Sequence, residues 1–247
     1  MVEFLFLAIF WARIRNSNLT SLSQTFQTAR DQSFAQWYKV FSDDFVRYEC
    51  TTNVPELVAS CHGLVLELGP GAGNQLPRFD ASRIKHIYGV EPNTGFAGVL
   101  ADRLKEIPEL GAKYTPVFCA VENRAELARQ GLTPGSVDCV LSMQVVCSLQ
   151  KPRETAQELY ELLKPGGELI FWEHCRSEDL VTRTVQTLWS MFWSVVAGGC
   201  RFDVPTREIL LQAAEWEVVD IQIDKAPHLI MPRVWGRLVK PRRAAAA

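Results

Sequence analysis

Apolar positions divide the chain into an apolar N-terminus, one long helical segment, and a region where strands and helices alternate. Between residues 26 and 48 most apolar side chains recur every three, four or seven positions, which is typical of an amphipathic helix. From residue 64 onward, short apolar runs are separated by helical segments. They predict strands at 64–68, 86–90, 114–119, 137–143 and 168–173, and helices near Gln75 and at 96–107, 125–130 and 151–163.

This alternation predicts the architecture of the chain. Strands joined through helices need crossover connections, which place parallel strands in one sheet with helices on both faces. Two further strands, 218–224 and 234–240, lie close together in sequence and are expected to pair as an antiparallel hairpin. The sequence therefore predicts an α/β fold: a doubly wound, mostly parallel seven-stranded sheet with helices on both faces and an N-terminal helical extension.

We expect three parts along the chain. Residues 1–15 form a hydrophobic N-terminal segment, residues 16–60 a helical cap, and residues 61–247 the domain that carries the sheet. Two interpretations of the helix within the cap stay open at this point. It either covers a ligand pocket or shields one edge of the sheet.

The N-terminal segment has the composition of a membrane-interface helix. Residues 2–12 are apolar except for Glu3, and Arg13 and Arg15 follow them. A helix of that length spans roughly 16 Å, about half of the ~30 Å hydrocarbon layer, so it is too short to cross a bilayer. The segment predicts peripheral membrane contact through residues 1–15. The alternative is a helix packed on its own domain or on a dimer partner.

Charge and cysteine content exclude several classes of protein. Lys and Arg number 26 against 28 Asp and Glu, so the formal net charge is −2 and gives no surplus of cations for a nucleic acid. The seven cysteines are an odd number, and no two have the spacing of a zinc knuckle or redox pair. No two of the four histidines form a helical i, i+4 pair. We therefore expect a reducing compartment, no nucleic-acid partner and no dedicated metal site.

A glycine-rich turn follows the first predicted strand, at 67–74 (ELGPGAGN). Ligands bind at the carboxyl ends of the strands in such sheets, and glycine lets the backbone approach them closely. The third glycine of a dinucleotide fingerprint is replaced by Asn74. The negative charge of Glu67 would repel a diphosphate, whereas it suits a ligand with an ammonium group.

A second acidic residue, Glu91, ends the second predicted strand in the segment VEPN at 90–93. A carboxylate at this position accepts hydrogen bonds from ribose hydroxyls. A nucleoside with an amino-acid tail and a sulfonium centre would satisfy both Glu67 and Glu91. That ligand is S-adenosylmethionine.

With these motifs the chain resembles the class I S-adenosylmethionine-dependent methyltransferases over about residues 45–240. The segment 66–74 is similar to their motif I, 90–93 to the acidic motif after strand two, and 121–127 to the segment that contacts adenine. The segments 145–152 (VVCSLQKP) and 162–174 (LLKPGGELIFWEH), together with GGC at 198–200, resemble more specifically the small membrane-associated thiol S-methyltransferases of the endoplasmic reticulum and lipid droplets.

The resemblance implies S-adenosyl-L-methionine as the cofactor and a set of residues that hold it. These are expected to be Glu67, Gly69, Pro70, Gly71, Gly73, Asn74, Glu91, Pro92, Asn93, Val121, Glu122, Gln144 and Cys147. It also implies methyl transfer to a small lipophilic acceptor, with a thiol as the first expectation. A hydroxyl of a natural product or lipid is the alternative, and a catalytically silent, cofactor-binding interaction module is the alternative from another class.

Candidate catalytic residues lie at the end of the fifth predicted strand. His174, next to Glu173, is expected to serve as a general base, because an unperturbed histidine pKa of about 6.5 suits that role. It could instead orient a loop or line the pocket passively. The insert at 180–199 is rich in aromatic residues, and Trp189, Trp193 and Cys200 are expected to line the substrate pocket. The alternative is that most side chains of the insert are core.

The same resemblance gives an expected location. The chain is expected to be intracellular, either peripheral on the endoplasmic reticulum or lipid-droplet membrane or, without that contact, cytoplasmic. Its oligomeric state stays open.

Overall fold

A computed structural model of the chain describes residues 19–226 and 228–242, and the N-terminal segment 1–15 lies outside this part. Seven strands form one sheet in the order β3-β2-β1-β4-β5-β7-β6. The strands are β1 (Gly63–Leu68), β2 (Ile84–Val90), β3 (Tyr114–Val117), β4 (Val137–Met143), β5 (Leu163–His174), β6 (Val218–Ile223) and β7 (Arg233–Val239).

The sheet confirms the predicted fold class. Strands β1 to β5 pair in parallel, whereas β7 lies antiparallel between β5 and β6. The predicted C-terminal hairpin therefore forms, with its second strand next to β5. The strand order reverses at β1, which has β2 on one side and β4 on the other. Ligands of doubly wound sheets bind outside this reversal point.

Eight α-helices in the described residues surround the sheet. They are α1 (Leu19–Glu49), α2 (Val54–Ser60), α3 (Ala97–Glu106), α4 (Pro108–Gly111), α5 (Arg124–Arg129), α6 (Pro152–Leu162), α7 (Leu180–Val196) and α8 (Thr206–Gln212). The prediction of a helix near Gln75 is wrong. The segment is a series of turns ending in one 3-10 turn at Leu76–Arg78. Gly73 has a φ of +78° and Pro77 lacks a backbone donor, so a regular α-helix does not form there.

The core has two layers because successive strand residues point to opposite faces of the sheet. In β1, Val65 packs in the layer under α2 and α3, whereas Leu66 packs in the layer with α5 and α6. Both side chains are fully buried. Sheet strands covered on both sides are held rigidly, and their carboxyl ends therefore form a fixed platform for a site.

Helix α1 lies across this platform. The side chain of Asn93 donates a hydrogen bond to the carbonyl of Asp31, at 2.7 Å, and the Arg78 guanidinium forms a buried ion pair with Glu49 at 2.5 Å. Phe34, Tyr38 and other α1 side chains line the cavity beneath the helix. Of the two interpretations of this helix, covering a ligand pocket is the one the structure supports.

Within the described residues, every helix is too short or too polar to span a membrane.

Candidate active site

A cavity of about 1190 Å³ opens at the carboxyl ends of β1, β2, β4 and β5, between α1 and α7. Pockets for single small ligands have volumes of roughly 300 to 1,000 Å³. The cavity therefore has room for a cofactor together with an acceptor. We call the part beside β1 and β2 the cofactor end, and the part beside His174 and α7 the acceptor end.

Glycines of the turn after β1 shape the cofactor end. Gly69 and Gly71 line the cavity, and each has a φ of +54°, which favours glycine. A Cβ on Gly69 would lie 2.8 Å from Val145, so this glycine permits close packing of the loop after β4. A Cβ on Gly71 would have no neighbour nearer than 3.8 Å. Gly71 therefore leaves space open on the cavity side, as a cradle for a ligand requires.

Glu91 connects the two loops of the cofactor end. Its Oε2 accepts a hydrogen bond from the backbone N–H of Gly71 at 3.1 Å, and its Oε1 accepts one from the N–H of Asn93 at 2.8 Å. The side chain lines the cavity, and burial raises its pKa to about 7. The carboxylate thus fixes the glycine turn and the loop after β2 relative to each other, and it also faces the cavity.

Glu67 lies behind the glycine turn rather than in the cavity lining. Its Oε2 accepts a hydrogen bond from the Tyr114 hydroxyl at 2.7 Å, whereas its Oε1 is buried with no partner among the described residues. Burial raises the pKa of Glu67 to about 7, and the charge of Glu91 acts in the same direction. An unsatisfied buried carboxylate oxygen needs a donor. Together with Glu91, which lines the cavity, this buried carboxylate makes the cofactor end acidic. An acidic end suits a cationic ligand such as S-adenosylmethionine, so the residues present fit this cofactor.

Asn74 fastens α1 to the glycine turn. Its Oδ1 accepts a hydrogen bond from Ser42 at 2.5 Å, and its Nδ2 donates one to the Tyr38 hydroxyl at 3.1 Å. Glu49, near the end of α1, accepts a hydrogen bond from Gln144 at 3.3 Å. Sequence reasoning missed Tyr38 and Glu49. The helical period of the aromatic residues signalled a buried face for Tyr38, and nothing in the sequence singled out Glu49.

The structure thus separates the predicted cofactor residues into two groups. The first group lines the cavity: Gly69, Gly71, Glu91, Pro92, Asn93, Val121, Glu122 and Gln144. The second group lies behind the lining and supports it: Glu67, Pro70, Gly73, Asn74 and Cys147.

Glu173 is a supporting residue of the acceptor end. It is fully buried and accepts hydrogen bonds from the Ser142 hydroxyl at 2.6 Å and from the N–H groups of Val145 and Val146, at 2.9 and 3.1 Å. Burial raises its pKa to about 7. The carboxylate holds the loop after β4 and does not line the cavity. Its geometry is that of a positioning residue, and its catalytic role stays a prediction.

His174 lines the cavity at the end of β5, and two cysteines face one edge of its ring. Its Nδ1 lies 3.5 Å from the Sγ of Cys147 and 3.4 Å from the Sγ of Cys200. The carbonyl of His174 accepts a hydrogen bond from the Thr206 hydroxyl at 2.7 Å, which fixes the strand end. The structure places His174 beside the acceptor space, and its role as a base stays a prediction.

Arg233 is a charged residue of the acceptor end that sequence reasoning missed. It faces His174 across the β5–β7 pairing and lines the cavity, although it is only 8% exposed. Its Cζ lies 4.6 Å from the centroid of the Trp172 ring, its Nη1 donates to the carbonyl of Met231, and its Nε has no hydrogen-bond partner among the described residues. Burial lowers its pKa from the ordinary value, yet an arginine stays charged.

Helix α7 has an inverted distribution of side chains. Its buried residues are polar: Thr182, Gln186 and Ser190. Its apolar residues face outward, with Leu188 66% and Phe192 63% exposed. The alternative that most of the insert is core is therefore wrong. Trp189, Trp193 and Cys200 line the cavity as expected, and Trp189 is half exposed at its rim.

Comparisons with known proteins agree with this geometry. Residues 66–171 match the family described as "Methyltransferase domain". The thiol S-methyltransferase TMT1B of Rattus norvegicus is 31% identical over 184 residues, which cover 71% of this chain and 70% of the relative. The thiol S-methyltransferase TMT1A of Homo sapiens is 28% identical over 189 residues, which also cover 71% of this chain and 70% of the relative.

Solved structures show the same fold. The N-methyltransferase NodS from Bradyrhizobium japonicum, in complex with S-adenosyl-L-homocysteine, aligns with a TM-score of 0.56 at 16% identity, covering 79% of this chain and 88% of that one. The geometry of the cofactor end and the likeness over most of the chain lead to one assignment. The chain is an S-adenosylmethionine-dependent enzyme and belongs to the class I methyltransferases, in the branch that includes the thiol S-methyltransferases.

Proposed function

We propose that the enzyme transfers the methyl group of S-adenosylmethionine to the sulfur of a small lipophilic thiol. The observation that carries the proposal is the buried guanidinium of Arg233 at the acceptor end, which has no hydrogen bond to a carboxylate among the described residues. Asp224 and Glu173 act on this charge without bonding to the guanidinium. A buried charge without a hydrogen-bonded counter-ion is costly in a folded protein. An anionic acceptor would compensate it.

A thiol fits this charge better than a hydroxyl does. A thiol such as that of cysteine has a pKa of about 8.5, and a nearby cation lowers the pKa of a thiol, so a thiolate forms there without a strong base. An aliphatic hydroxyl does not ionise there. The similarity to the rat thiol S-methyltransferase supports the same acceptor.

The acceptor end favours an apolar molecule around that sulfur. Aromatic side chains from three segments, Phe34, Trp193 and Phe202, line it. The centroids of the Trp193 and Phe202 rings lie 5.6 Å apart. Such walls bury apolar surface and exclude water.

The cofactor supplies a methyl group bound to a positively charged sulfur. The chain's own part is to hold both reactants in line, because proximity alone lowers such a barrier by several kcal/mol. Glu91 and the glycine turn hold the cofactor end, whereas Glu173 fixes the loop after β4, which also lines the cavity.

We also propose peripheral contact with a lipid surface, through residues 1–15 and the outward face of α7. The loop 229–231 extends this apolar face, since Gln186 of α7 donates a hydrogen bond to the carbonyl of Ile230 at 3.0 Å. Trp189 and this loop also line the cavity. A lipophilic acceptor would therefore enter from the lipid side. The endoplasmic reticulum or lipid-droplet membrane is the surface we propose.

A methyl-transfer assay with matched acceptors tests the proposed activity. The panel pairs each aliphatic or aromatic thiol with the alcohol or phenol of the same carbon skeleton, and adds carboxylic acids. We expect methylated product from thiols, with higher turnover for the more apolar ones. Methylation of the hydroxyl or carboxyl compounds without product from the matched thiols would overturn the thiol assignment.

A further inference from the structure

Three residues from separate segments of the chain meet at the inner wall of the acceptor end. Cys147 follows β4, His174 ends β5, and Cys200 follows α7. The two Sγ atoms lie 3.3 Å apart, and the His174 Nδ1 lies 3.5 and 3.4 Å from them. The three atoms form a nearly equilateral triangle, with all three side chains buried.

This triangle matches one face of a tetrahedral metal site. Zinc binds thiolate sulfur at about 2.3 Å and imidazole nitrogen at about 2.0 Å, so ligand atoms at tetrahedral angles are about 3.5 to 3.8 Å apart. The observed separations fall within a few tenths of an ångström of that range. The thiols do not form a disulfide, in which the sulfur atoms would be about 2.05 Å apart.

Backbone contacts hold the three residues in place. The N–H of Arg201 donates to the carbonyl of Cys147 at 3.1 Å, which joins the segment after α7 to the loop after β4. His174 is fixed by its strand pairing and by Thr206. A site built on such elements is preorganised, so a metal would bind there without refolding of the chain.

We propose that Cys147, His174 and Cys200 hold a zinc-type ion whose fourth position is open to the acceptor end of the cavity. Thiolate and imidazole ligands select soft or borderline ions over magnesium and calcium. Cys147 is fully enclosed, whereas His174 and Cys200 line the cavity. The ion would thus face the cavity, which is the arrangement of catalytic rather than structural zinc sites.

The open position would receive the acceptor sulfur, and this step rests on the proposed function. The acceptor thiol loses its proton to solvent on binding the ion. Its sulfur then forms a bond to the methyl carbon as the bond between that carbon and the cofactor sulfur breaks. The products are a methyl thioether and S-adenosylhomocysteine. His174 is then a ligand and not a general base.

Metal binding by the full chain tests the site without any acceptor. The protein is stripped with a chelator in a phosphine reductant and titrated with Co²⁺. We expect one Co²⁺ per chain, with sulfur-to-metal charge-transfer absorption and the strong visible bands of tetrahedral cobalt, and displacement by one equivalent of Zn²⁺. Cys200→Ser and His174→Ala should weaken Co²⁺ binding by at least about 10- to 100-fold. Removing only a group that hydrogen-bonds to a metal ligand already has an effect of that size, and these variants remove a ligand itself. Cys50→Ser, at an exposed cysteine away from the site, is the matched control.

Circular dichroism and cofactor binding show whether each variant is folded. If the cluster variants do not fold, the wild-type cobalt spectrum and stoichiometry still decide the proposal. Absence of the charge-transfer band, or equal metal affinity in Cys200→Ser, His174→Ala and the control, would overturn it. An acceptor thiol added to the cobalt form should shift the visible bands, whereas an alcohol should not. A bound ion with no shift from any thiol would retain the metal site and overturn its link to the acceptor.

Discussion

Replacing Glu91 by alanine is expected to weaken cofactor binding on the order of 10- to 150-fold. The carboxylate faces the cavity and accepts two backbone hydrogen bonds, from Gly71 at 3.1 Å and from Asn93 at 2.8 Å. A hydrogen bond to a charged group contributes about 1.5 to 3 kcal/mol, and each 1.4 kcal/mol is a factor of ten in affinity. We assign the loss to one charged contact with the ribose, because the backbone donors regain partners when water enters.

Isothermal titration calorimetry with S-adenosylmethionine and S-adenosylhomocysteine measures this change. Glu109→Ala, at an exposed carboxylate on α4, is the control and should bind as the parent does. Both ligands should weaken equally with Glu91→Ala, since they share the same ribose. Unchanged affinity would refute the placement of the ribose at Glu91. A loss for one ligand alone would show that Glu91 acts on the sulfonium and not on the ribose.

Four further outcomes are expected. The cofactor Kd should fall as pH rises toward 7 and then level off, by up to about tenfold per pH unit for each of Glu67 and Glu91. The pKa of each carboxyl is about 7, and a cationic ligand favours the ionised form. A calorimetric Kd that does not change with pH would contradict this. Gly71→Val should weaken cofactor binding more than about 100-fold, since its φ of +54° strains a branched residue and the side chain fills the cradle; near-parental affinity would speak against that site. Deleting residues 1–15, or replacing Leu188 and Met191 by Glu, should move the protein from sedimented vesicles to the supernatant with cofactor binding intact, and a parent that does not sediment would refute lipid contact. Arg233→Met should lower kcat/KM for thiols about 10- to 100-fold, with Arg233→Lys retaining more activity; an equal loss for matched hydroxyl compounds would instead indicate a change of pocket shape.

The cofactor end could be predicted from sequence because its residues lie in two short segments and its shape depends mainly on the backbone of the glycine turn. A strand followed by a glycine-rich turn must place Gly69 and Gly71 at the sheet edge, and the acid after the next strand must lie beside them. The structure confirms that neighbourhood through the Glu91 hydrogen bond to Gly71. The pattern did not reveal which of these side chains line the cavity and which lie behind the lining. Glu67 and Asn74 lie behind the cavity lining, because a motif gives the order of residues and not the direction of each side chain.

The acceptor end depends on contacts between distant segments. Cys147 and Cys200 meet through the crossing of two loops, and their spacing in sequence has no metal-site pattern. Arg233 reaches the cavity because β7 inserts beside β5, a pairing that the sequence does not specify. The apolar residues of α7 recur with an ordinary helical period. Period alone does not distinguish a core-facing apolar stripe from one that faces solvent, and only the buried Gln186 reveals the inversion.

The two ends of the cavity carry opposite charges. Glu67 and Glu91 are buried carboxylates at the cofactor end, and Arg233 is a buried cation at the acceptor end. A cationic cofactor and an anionic sulfur therefore each meet a charge of opposite sign, and the apolar walls weaken the screening between them. Transfer of the methyl group from a sulfonium to a thiolate removes both ligand charges. A reaction that removes charge is favoured where water is excluded, since little hydration of the reactants remains to be lost. A neutral hydroxyl acceptor would leave the charge of Arg233 without such a partner, so we expect charge, more than shape, to distinguish the acceptors in this site.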